Sequence, residues 1–358
     1  MSGFDALYAR HEAALEDFWS RRANALSYSR ELRLFGRPAT LMSNDSRVLA
    51  AADYSEPLYS QAPPVEGAPP FEVRLLVGPP PVPLPPLPEN LFAHIHYMGI
   101  GQWLAIQLGP WGHCQVDLAR GEALAVLSTD LAAQPELVSR CLLNTIFNNL
   151  LTAAGLAMLH ATGLARGGRA LLLMAPHGSG KSTAALRLAL AGFPLMSDSQ
   201  VYLSQRDGVL ELTGFPVGRV KLRRDMREDF PELHPLLTPE EVRGETKFNL
   251  NLRQLDPALV QAQAIRPSVI DLCLLTRHAQ PETRLTPATP AEFIHTALQN
   301  SLHYDRPEAW GANVALIEQL AGSARCHHLV VGTDTHSLVA VMRALWAIDP
   351  APKAINAD

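Results

Sequence analysis

The chain has few cysteines, no basic excess and no long apolar run. Its four cysteines form no CxxC pair, which excludes a zinc ribbon and a disulfide framework. Lys and Arg number 30 against 35 Asp and Glu, and nucleic-acid binders usually carry a clustered basic excess instead. No apolar run reaches the roughly 20 residues that span a bilayer, and the first residues lack a signal-peptide core. These absences predict a cytoplasmic protein with neither a membrane nor a nucleic-acid partner.

Length and composition predict two domains. With 358 residues and 47% hydrophobic content, the chain can build two separate cores. Residues 1–130 predict a smaller α+β domain, with an amphipathic helix from Phe4 to about Ala25 and β-prone segments such as "RVLAAA" and "FEVRLLVG". Residues 131–350 are predicted to form the second domain, and residues 351–358 are predicted to form a tail. A helix from Pro135 to Ala154, ended by Gly155, is expected to pack on this second domain.

A proline-rich segment lies within the first domain. Residues 78–90, "GPPPVPLPPLPEN", predict an extended, polyproline-like connector, because proline fixes φ and removes a hydrogen-bond donor. Such a segment serves either as a stiff spacer or as a ligand for a proline-recognising module.

The segment "LLLMAPHGSGKST" fits a phosphate-binding loop, with Ala175 in place of the first glycine. Gly178 and Gly180 let backbone N–H groups converge on phosphate oxygens, Lys181 adds a positive charge, and the Ser182 hydroxyl can join a Mg²⁺ shell. The predicted nucleotide-binding residues are Ala175, Pro176, His177, Gly178, Ser179, Gly180, Lys181, Ser182 and Thr183.

The surroundings of this loop match its requirements. An apolar strand, Ala170 to Met174, precedes it, and the helix-forming "STAALRLALAG" follows and ends at Gly192. The next predicted strand, "FPLMSDSQVYL", carries Asp198 at its centre. Strand, loop and helix in this order favour a nucleotide site over a glycine-rich turn without a ligand.

The stretch from Leu159 to Leu203 resembles the catalytic core of HPr kinase/phosphorylase, because His160, Lys181 and Asp198 match that family in type and spacing. The resemblance implies an α/β P-loop kinase domain of the HPr-kinase and phosphoenolpyruvate-carboxykinase type that uses ATP and Mg²⁺. It implies that Asp198 takes a proton from the acceptor hydroxyl, that His160 tunes it, and that Ser182 and Asp198 hold Mg²⁺. The alternatives are a strand-end role for Asp198 and an ordinary core position for His160.

The sequence also departs from this family. Ser199 stands where the family has a second aspartate, and the family's downstream Gly- and Ile-rich segment is absent. An acceptor other than HPr is therefore expected. The segment "GFPVGRVKLR" resembles the HPr-kinase-related kinase B subgroup instead.

Basic residues beyond the core are candidates for substrate or phosphate contacts. Arg219, Lys221 and Lys247 are the candidates, and Lys221 and Lys247 lie in apolar surroundings that predict partial burial. The alternative is a solvated charged loop. Asp271, on the predicted strand "RPSVIDLCLLTRHA", is expected to be structural.

The sequence and this resemblance thus predict transfer of the γ-phosphoryl group of ATP to a hydroxyl, that of Ser or Thr in a protein or peptide acceptor. Two alternatives stay open: a small-molecule kinase, and a nucleotide-responsive binding module without transfer. Self-association is an expectation by analogy with HPr-like kinases.

Overall fold

A computed structural model describes residues 26–80, 82–88, 90–176, 178–242, 245–299 and 307–347. The predicted N-terminal helix, His177 and the tail at 351–358 lie outside these residues. Contacts divide the chain into two compact units, Met1–Glu56 with Pro64–Ala154 and Pro57–Pro63 with Gly155–Asp358. This division falls at Ala154, later in the chain than the boundary predicted near residue 130.

The first unit is built on a seven-stranded mixed sheet with the order β1-β2-β3-β7-β6-β5-β4. The third strand in this order, β3, is parallel to both neighbours, and the other pairs are antiparallel. The strands are β1 Tyr28–Leu34, β2 Arg37–Ser43, β3 Phe71–Gly78, β4 Ile95–Ile100, β5 Trp103–Leu108, β6 Gly112–Asp117 and β7 Glu122–Ser128.

One β-prone segment of this unit is helical, so the prediction of a strand at "RVLAAA" was wrong. A 3-10 turn, Ser46–Ala50, leads directly into the short helix α1, Ala51–Ser55. The Asp45 side chain accepts a hydrogen bond from the Arg47 N–H at the start of this turn. A carboxylate in this position satisfies a donor that the first turn leaves open, which favours helix over strand.

The helical region before the second unit belongs to the first unit, contrary to the prediction. It comprises α2 Thr129–Ala132, α3 Pro135–Val138, a π-helical turn Ser139–Leu143 and α4 Asn144–Ala153. The buried Ser139 and Ser55 hydroxyls are 2.7 Å apart, which ties this region to α1. Gly155 follows with φ of 93°, so the predicted stop at this glycine is confirmed.

The proline-rich segment connects β3 in the middle of the sheet to β4 at its edge. Gly78 ends β3, and none of the described residues of the segment after it lies in a helix or strand, as expected for a chain whose prolines cannot donate to a ladder. The Trp111 indole N–H donates to the Pro85 carbonyl at 3.0 Å and fixes the connector partway along. This contact is consistent with the spacer interpretation.

The second unit is built on an eight-stranded sheet with the order β12-β11-β9-β10-β16-β18-β17, and β8 pairs with β11. The strands β10, β16 and β18 are mutually parallel and form its centre. The strands are β8 Ala157–Leu159, β9 Thr162–Arg166, β10 Arg169–Met174, β11 Leu195–Arg206, β12 Val209–Val217, β16 Val269–Arg277, β17 Arg284–Pro287 and β18 Arg325–Val331.

A second, three-stranded sheet has the order β13-β15-β14. Its strands are β13 Arg219–Arg223, β14 Thr238–Val242 and β15 Glu245–Asn251. The helices of this unit are α5 Lys181–Leu190, α6 Arg224–Arg227, α7 Leu252–Leu255, α8 Pro290–Gln299, α9 Pro307–Ser323 and α10 Thr335–Trp346, with 3-10 turns at Pro231–Leu236 and Pro257–Leu259. Within the described residues, no helix combines the length and apolar character needed to cross a membrane.

The large sheet is covered on both faces, which explains the continuous apolar run of β10. Leu171 and Leu173 pack with α5, α10 and the small sheet. Leu172 and Met174 pack on the other side with α8 and α9. Since side chains alternate along a strand, a strand buried on both faces needs apolar residues at every position.

Asp271 on β16 is fully buried and fully bonded, which agrees with the predicted structural role. Arg325 of β18 donates to both carboxylate oxygens, at 2.9 and 2.7 Å. The His327 ring nitrogen lies 3.0 Å from Oδ1, and the Trp346 indole N–H donates to Oδ2 at 2.9 Å. The carboxylate therefore joins the central strands to the closing helix α10.

Replacing Asp271 with Ala is expected to lower the free energy of unfolding by about 3 kcal/mol, because it leaves the buried indole N–H without an acceptor. Urea denaturation of the full chain measures this loss. The control is Glu282→Ala, whose exposed carboxylate is 3.6 Å from Arg284 and should change stability by less than about 0.5 kcal/mol. Equal stability of the two variants would contradict the structural role of Asp271.

Candidate functional site

The segment between β10 and α5 has the backbone of an anion-binding loop. Gly178 and Gly180 have φ of 79° and 96°, values that residues with a Cβ rarely adopt. Ser179 closes a turn by donating from its hydroxyl to the Pro176 carbonyl at 2.7 Å. Gly180 caps α5, and its carbonyl accepts the first helical hydrogen bond from Ala184. The amides at the start of this helix are thus available to an anion.

Lys181 folds back over the loop. Its Nζ donates to the carbonyl oxygens of Ala175 at 2.6 Å and Pro176 at 3.3 Å. The residue is only 8% exposed. Burial lowers the pKa of Lys181, and the nearby negative charge of Asp198 opposes that shift. The ammonium group therefore lies at the loop, held by two carbonyls that a stronger acceptor can replace.

Asp198 lies at an irregularity in β11. The register between β11 and β12 shifts between Ser197 and Gln200. The Ser197 hydroxyl donates to the Phe215 carbonyl at 2.8 Å and accepts from the backbone N–H groups of Ser199 and Gln200, both at 3.3 Å. It thereby satisfies groups that the bulge removes from the ladder. A bulge redirects the side chains it contains, and here it directs Asp198 towards α5.

Polar groups from three other elements surround the Asp198 carboxylate. The Ser182 hydroxyl, at the start of α5, lies close enough to lower the pKa of this carboxylate. The Lys221 backbone N–H on β13 donates to Oδ2 at 3.3 Å. The Thr162 hydroxyl on β9 donates to the Asp198 carbonyl at 2.8 Å and lies 3.3 Å from Oδ1.

Burial dominates the electrostatics of this carboxylate. Asp198 is 7% exposed. Desolvation raises its pKa to about 6, although hydrogen bonds from Ser182, Lys221 and Thr162 and the charge of Lys181 all lower it. The group is therefore ionised at neutral pH, but its pKa lies much closer to neutrality than that of an ordinary aspartate.

Two arginines border the loop. A Cβ placed on Gly180 would lie 2.6 Å from Cδ of Arg277, at the carboxyl end of β16. A Cβ placed on Gly178 would lie 3.7 Å from a terminal guanidinium nitrogen of Arg223, at the end of β13. Guanidinium groups pair well with phosphate oxygens, so both suit the same ligand as the loop.

The sequence analysis missed Arg277 and Thr162. The carboxyl ends of neighbouring parallel strands meet at one edge of a sheet, so the signal for Arg277 was its place at the end of the predicted strand "RPSVIDLCLLTRHA". Thr162 follows His160 by two residues and carried no separate signal. His160 itself is half-buried in the connection between β8 and β9.

The predicted basic contacts lie on the small sheet, and only one of the two lysines is buried as expected. The Lys247 side chain is 13% exposed. The Lys221 side chain is 49% exposed, and its Nζ pairs with Glu240 at 2.9 Å, so the prediction of partial burial was wrong for this residue. Arg219 begins β13, opposite Asn251. On β13, exposed residues alternate with the buried Val220 and Leu222, which accounts for the exposure of the Lys221 side chain.

The oxygen atoms of Ser182 and Asp198 fit a magnesium ion. Mg²⁺ prefers hard oxygen ligands and is commonly held by one or two protein groups together with phosphates and water. The hydroxyl lies near enough to the carboxylate to lower its pKa, so both groups are close to one point. In the described part of the chain, no three His, Cys, Asp or Glu side chains cluster as metal ligands.

Comparison with known proteins gives likenesses to solved structures alone. No protein-family model matches the chain, and no curated protein matches it. Among solved structures, the Hpr(Ser) kinase/phosphatase from Coxiella burnetii is similar with a TM-score of 0.27 and 12% identity, over 53% of this chain and 93% of that chain. A likeness this distant does not bear on what the chain does.

The raised pKa of Asp198 predicts a pH-dependent cost in stability. The folded protein keeps the proton up to about pH 6, whereas an unfolded aspartate loses it near pH 4. Stability contributed by this site is therefore lost as the pH rises between these values. Relative to Asp198→Asn, the free energy of unfolding of wild type should fall by about 2 kcal/mol between about pH 4 and pH 7. Urea unfolding at several pH values measures the difference, and a constant difference would contradict the raised pKa.

The contact between Gly180 and Arg277 predicts that Gly180→Ala is more harmful than its φ alone implies. Gly155 has a similar φ, 93° against 96°, but a Cβ there would meet nothing within 4 Å. Both alanine variants carry backbone strain of about 1 kcal/mol or more, and Gly180→Ala adds a clash. We expect a larger loss of stability, measured by thermal unfolding, and partial recovery in Gly180→Ala/Arg277→Ala. No recovery in the double variant would exclude the clash.

Proposed function

We propose that the second unit is an HPr-kinase-like phosphotransferase that moves the γ-phosphoryl group of ATP to a hydroxyl, with Mg²⁺ as cofactor. The acceptor we propose is a Ser or Thr side chain of a protein or peptide other than HPr. The observation that carries the proposal is the buried Asp198 carboxylate, held beside Ser182 and next to a loop with two positive-φ glycines. A glycine-rich turn without a ligand has no reason to keep a buried carboxylate at this place.

The loop binds the phosphates in this proposal. Backbone N–H groups from Gly178 to Thr183 and the dipole of α5 face the anion. Lys181 exchanges the carbonyls of Ala175 and Pro176 for phosphate oxygens, while Arg277 and Arg223 approach from either side. Ser182 and Asp198 would hold Mg²⁺, which when bound neutralises charge on the phosphates.

Asp198 is also the proposed base. A base works best when its pKa lies near the working pH, and burial raises the pKa of Asp198 to about 6. The carboxylate orients the acceptor hydroxyl and takes its proton. The hydroxyl oxygen bonds to the γ-phosphorus, the bond from that phosphorus to the bridging oxygen breaks, and ADP leaves. Thr162 and the Lys221 N–H hold the carboxylate in place. We assign His160 a tuning role nearby, on the strength of its sequence position.

We expect Lys181→Ala and Asp198→Asn to lose transfer of labelled γ-phosphate from Mg·ATP into lysate proteins separated by mass. Asp198→Asn should lower the rate at least about a hundredfold, because it removes the base, yet still bind nucleotide. The matched controls are Arg187→Ala and Asp229→Asn, which break a 3.1 Å ion pair at the far end of α5 and should transfer normally.

The same assay separates the alternatives. Full transfer by Asp198→Asn would show that the base is assigned wrongly. Label in a low-mass compound and in no protein would identify a small-molecule kinase. Nucleotide binding without label in any fraction would identify a binding module, and Ser199→Asp would then be the variant to test for recovery of transfer.

A further inference from the structure

The outer face of the small sheet carries a row of basic and amide side chains. Arg219, Lys221 and Arg223 alternate with two buried residues on β13, so all three share one face. The row comprises these residues and their cross-strand partners on β15: Arg219, Lys221, Arg223, Asn251, Asn249 and Lys247. We call these six residues the basic strip.

The basic strip runs from the phosphate loop past the proposed base. At one end, the Arg223 guanidinium lies beside Gly178. In the middle, the backbone N–H of Lys221 donates to Asp198 at 3.3 Å. An acceptor lying along this strip would therefore have a segment next to Asp198. Binding of phosphates at the loop and of Mg²⁺ at Ser182 and Asp198 does not involve the far end of the strip, at Arg219.

The strip is positively charged in a protein that is acidic as a whole, with a formal net charge of -5. Arg219, Lys221 and Arg223 are exposed on this face, whereas the Lys247 side chain is only 13% exposed. Two carboxylates share the face: Glu240 is 2.9 Å from Lys221, and Glu245 is 3.9 Å from Arg223 and 3.8 Å from Lys247. At the far end the positive charges repel one another: burial chiefly lowers the pKa of Arg253, and the charge of Arg219 lowers it further. A positive surface here favours an anionic partner.

We propose that the basic strip docks an extended acidic segment of the acceptor protein, with carboxylates at alternate positions. Same-face side chains on a strand recur about every 7 Å, and same-face side chains of an extended peptide have the same spacing. Arg219, Lys221 and Arg223 thus match three successive carboxylates over roughly 13 Å. A small anion would need only one of these positions. The inference rests on the proposed function and adds to it the class of acceptor.

The test uses two synthetic peptides with a single serine. One has glutamate at every second position, and the other has glutamine at the same positions. Fluorescence anisotropy measures their binding to the full chain with Mg²⁺ and a non-hydrolysable ATP analogue, and a parallel assay measures phosphoryl transfer from ATP. The proteins are wild type, Arg219→Gln/Lys221→Gln, and the control Arg284→Gln, which removes an exposed arginine from β17.

We expect wild type to bind the glutamate peptide about tenfold more tightly, the gain that two or three charge-assisted contacts give, and to lose this preference as salt rises. The double variant should show little preference, and Arg284→Gln should keep it. Equal binding of the two peptides by wild type would overturn the inference, and so would a preference that the double variant retains.

Two further outcomes separate the inference from the proposed function. Transfer to both peptides at equal rates, with equal binding, would support the kinase and overturn the acidic docking. Strip-dependent binding of the glutamate peptide, with no transfer to any acceptor, would support the docking and overturn the kinase. Citrate serves as a small polyanion, and strip-dependent binding of citrate without binding of the glutamate peptide would overturn a peptide occupant.

Discussion

The buried carboxylate of Asp198 is the constraint on which the site depends. Removing a carboxylate from water costs several kcal/mol unless hydrogen bonds and positive charge offset the cost. The polar groups around it come from three separate elements: Ser182 of α5, Thr162 of β9 and the Lys221 N–H of β13. Each element must be in place for the charge to be tolerated. One side chain therefore links the glycine-containing loop, the large sheet and the small sheet to one another.

The hydrogen bonds and the nearby positive charge do not fully offset the cost of burying the Asp198 carboxylate. If the donors compensated fully for burial, the pKa of Asp198 would stay near or below its ordinary value, but it rises to about 6. The folded protein thus retains a site that a further positive charge would stabilise. Sites kept at such a cost to stability are commonly functional ones, because selection for folding alone removes them. A hard cation beside the Ser182 hydroxyl would supply the missing charge.

Local patterns in the sequence were sufficient to predict the loop, and long-range placement was not. Gly178, Gly180 and the helix after them follow from short-range preferences, and the strand containing Asp198 follows from its apolar pattern. The insertion of β9 between β10, which precedes the loop, and β11, which carries Asp198, depends on a chain reversal that no local preference fixes. The helix from Pro135 to Ala154 shows the same limit, because an apolar face predicts burial without specifying the partner. Arg277 reaches the loop only through the pairing of β10 with β16.

The distribution of charge suggests how a site with a single aspartate works. Ser199 contributes no carboxylate where the resembled family has one, so negative charge around the loop comes from Asp198, while Lys181, Arg223 and Arg277 bring positive charge. In the proposed reaction, an anionic ligand would be held by the protein more than by metal bridges to several carboxylates. A cation bound beside Asp198 would lower the raised pKa of this carboxylate and keep it ionised over a wider pH range.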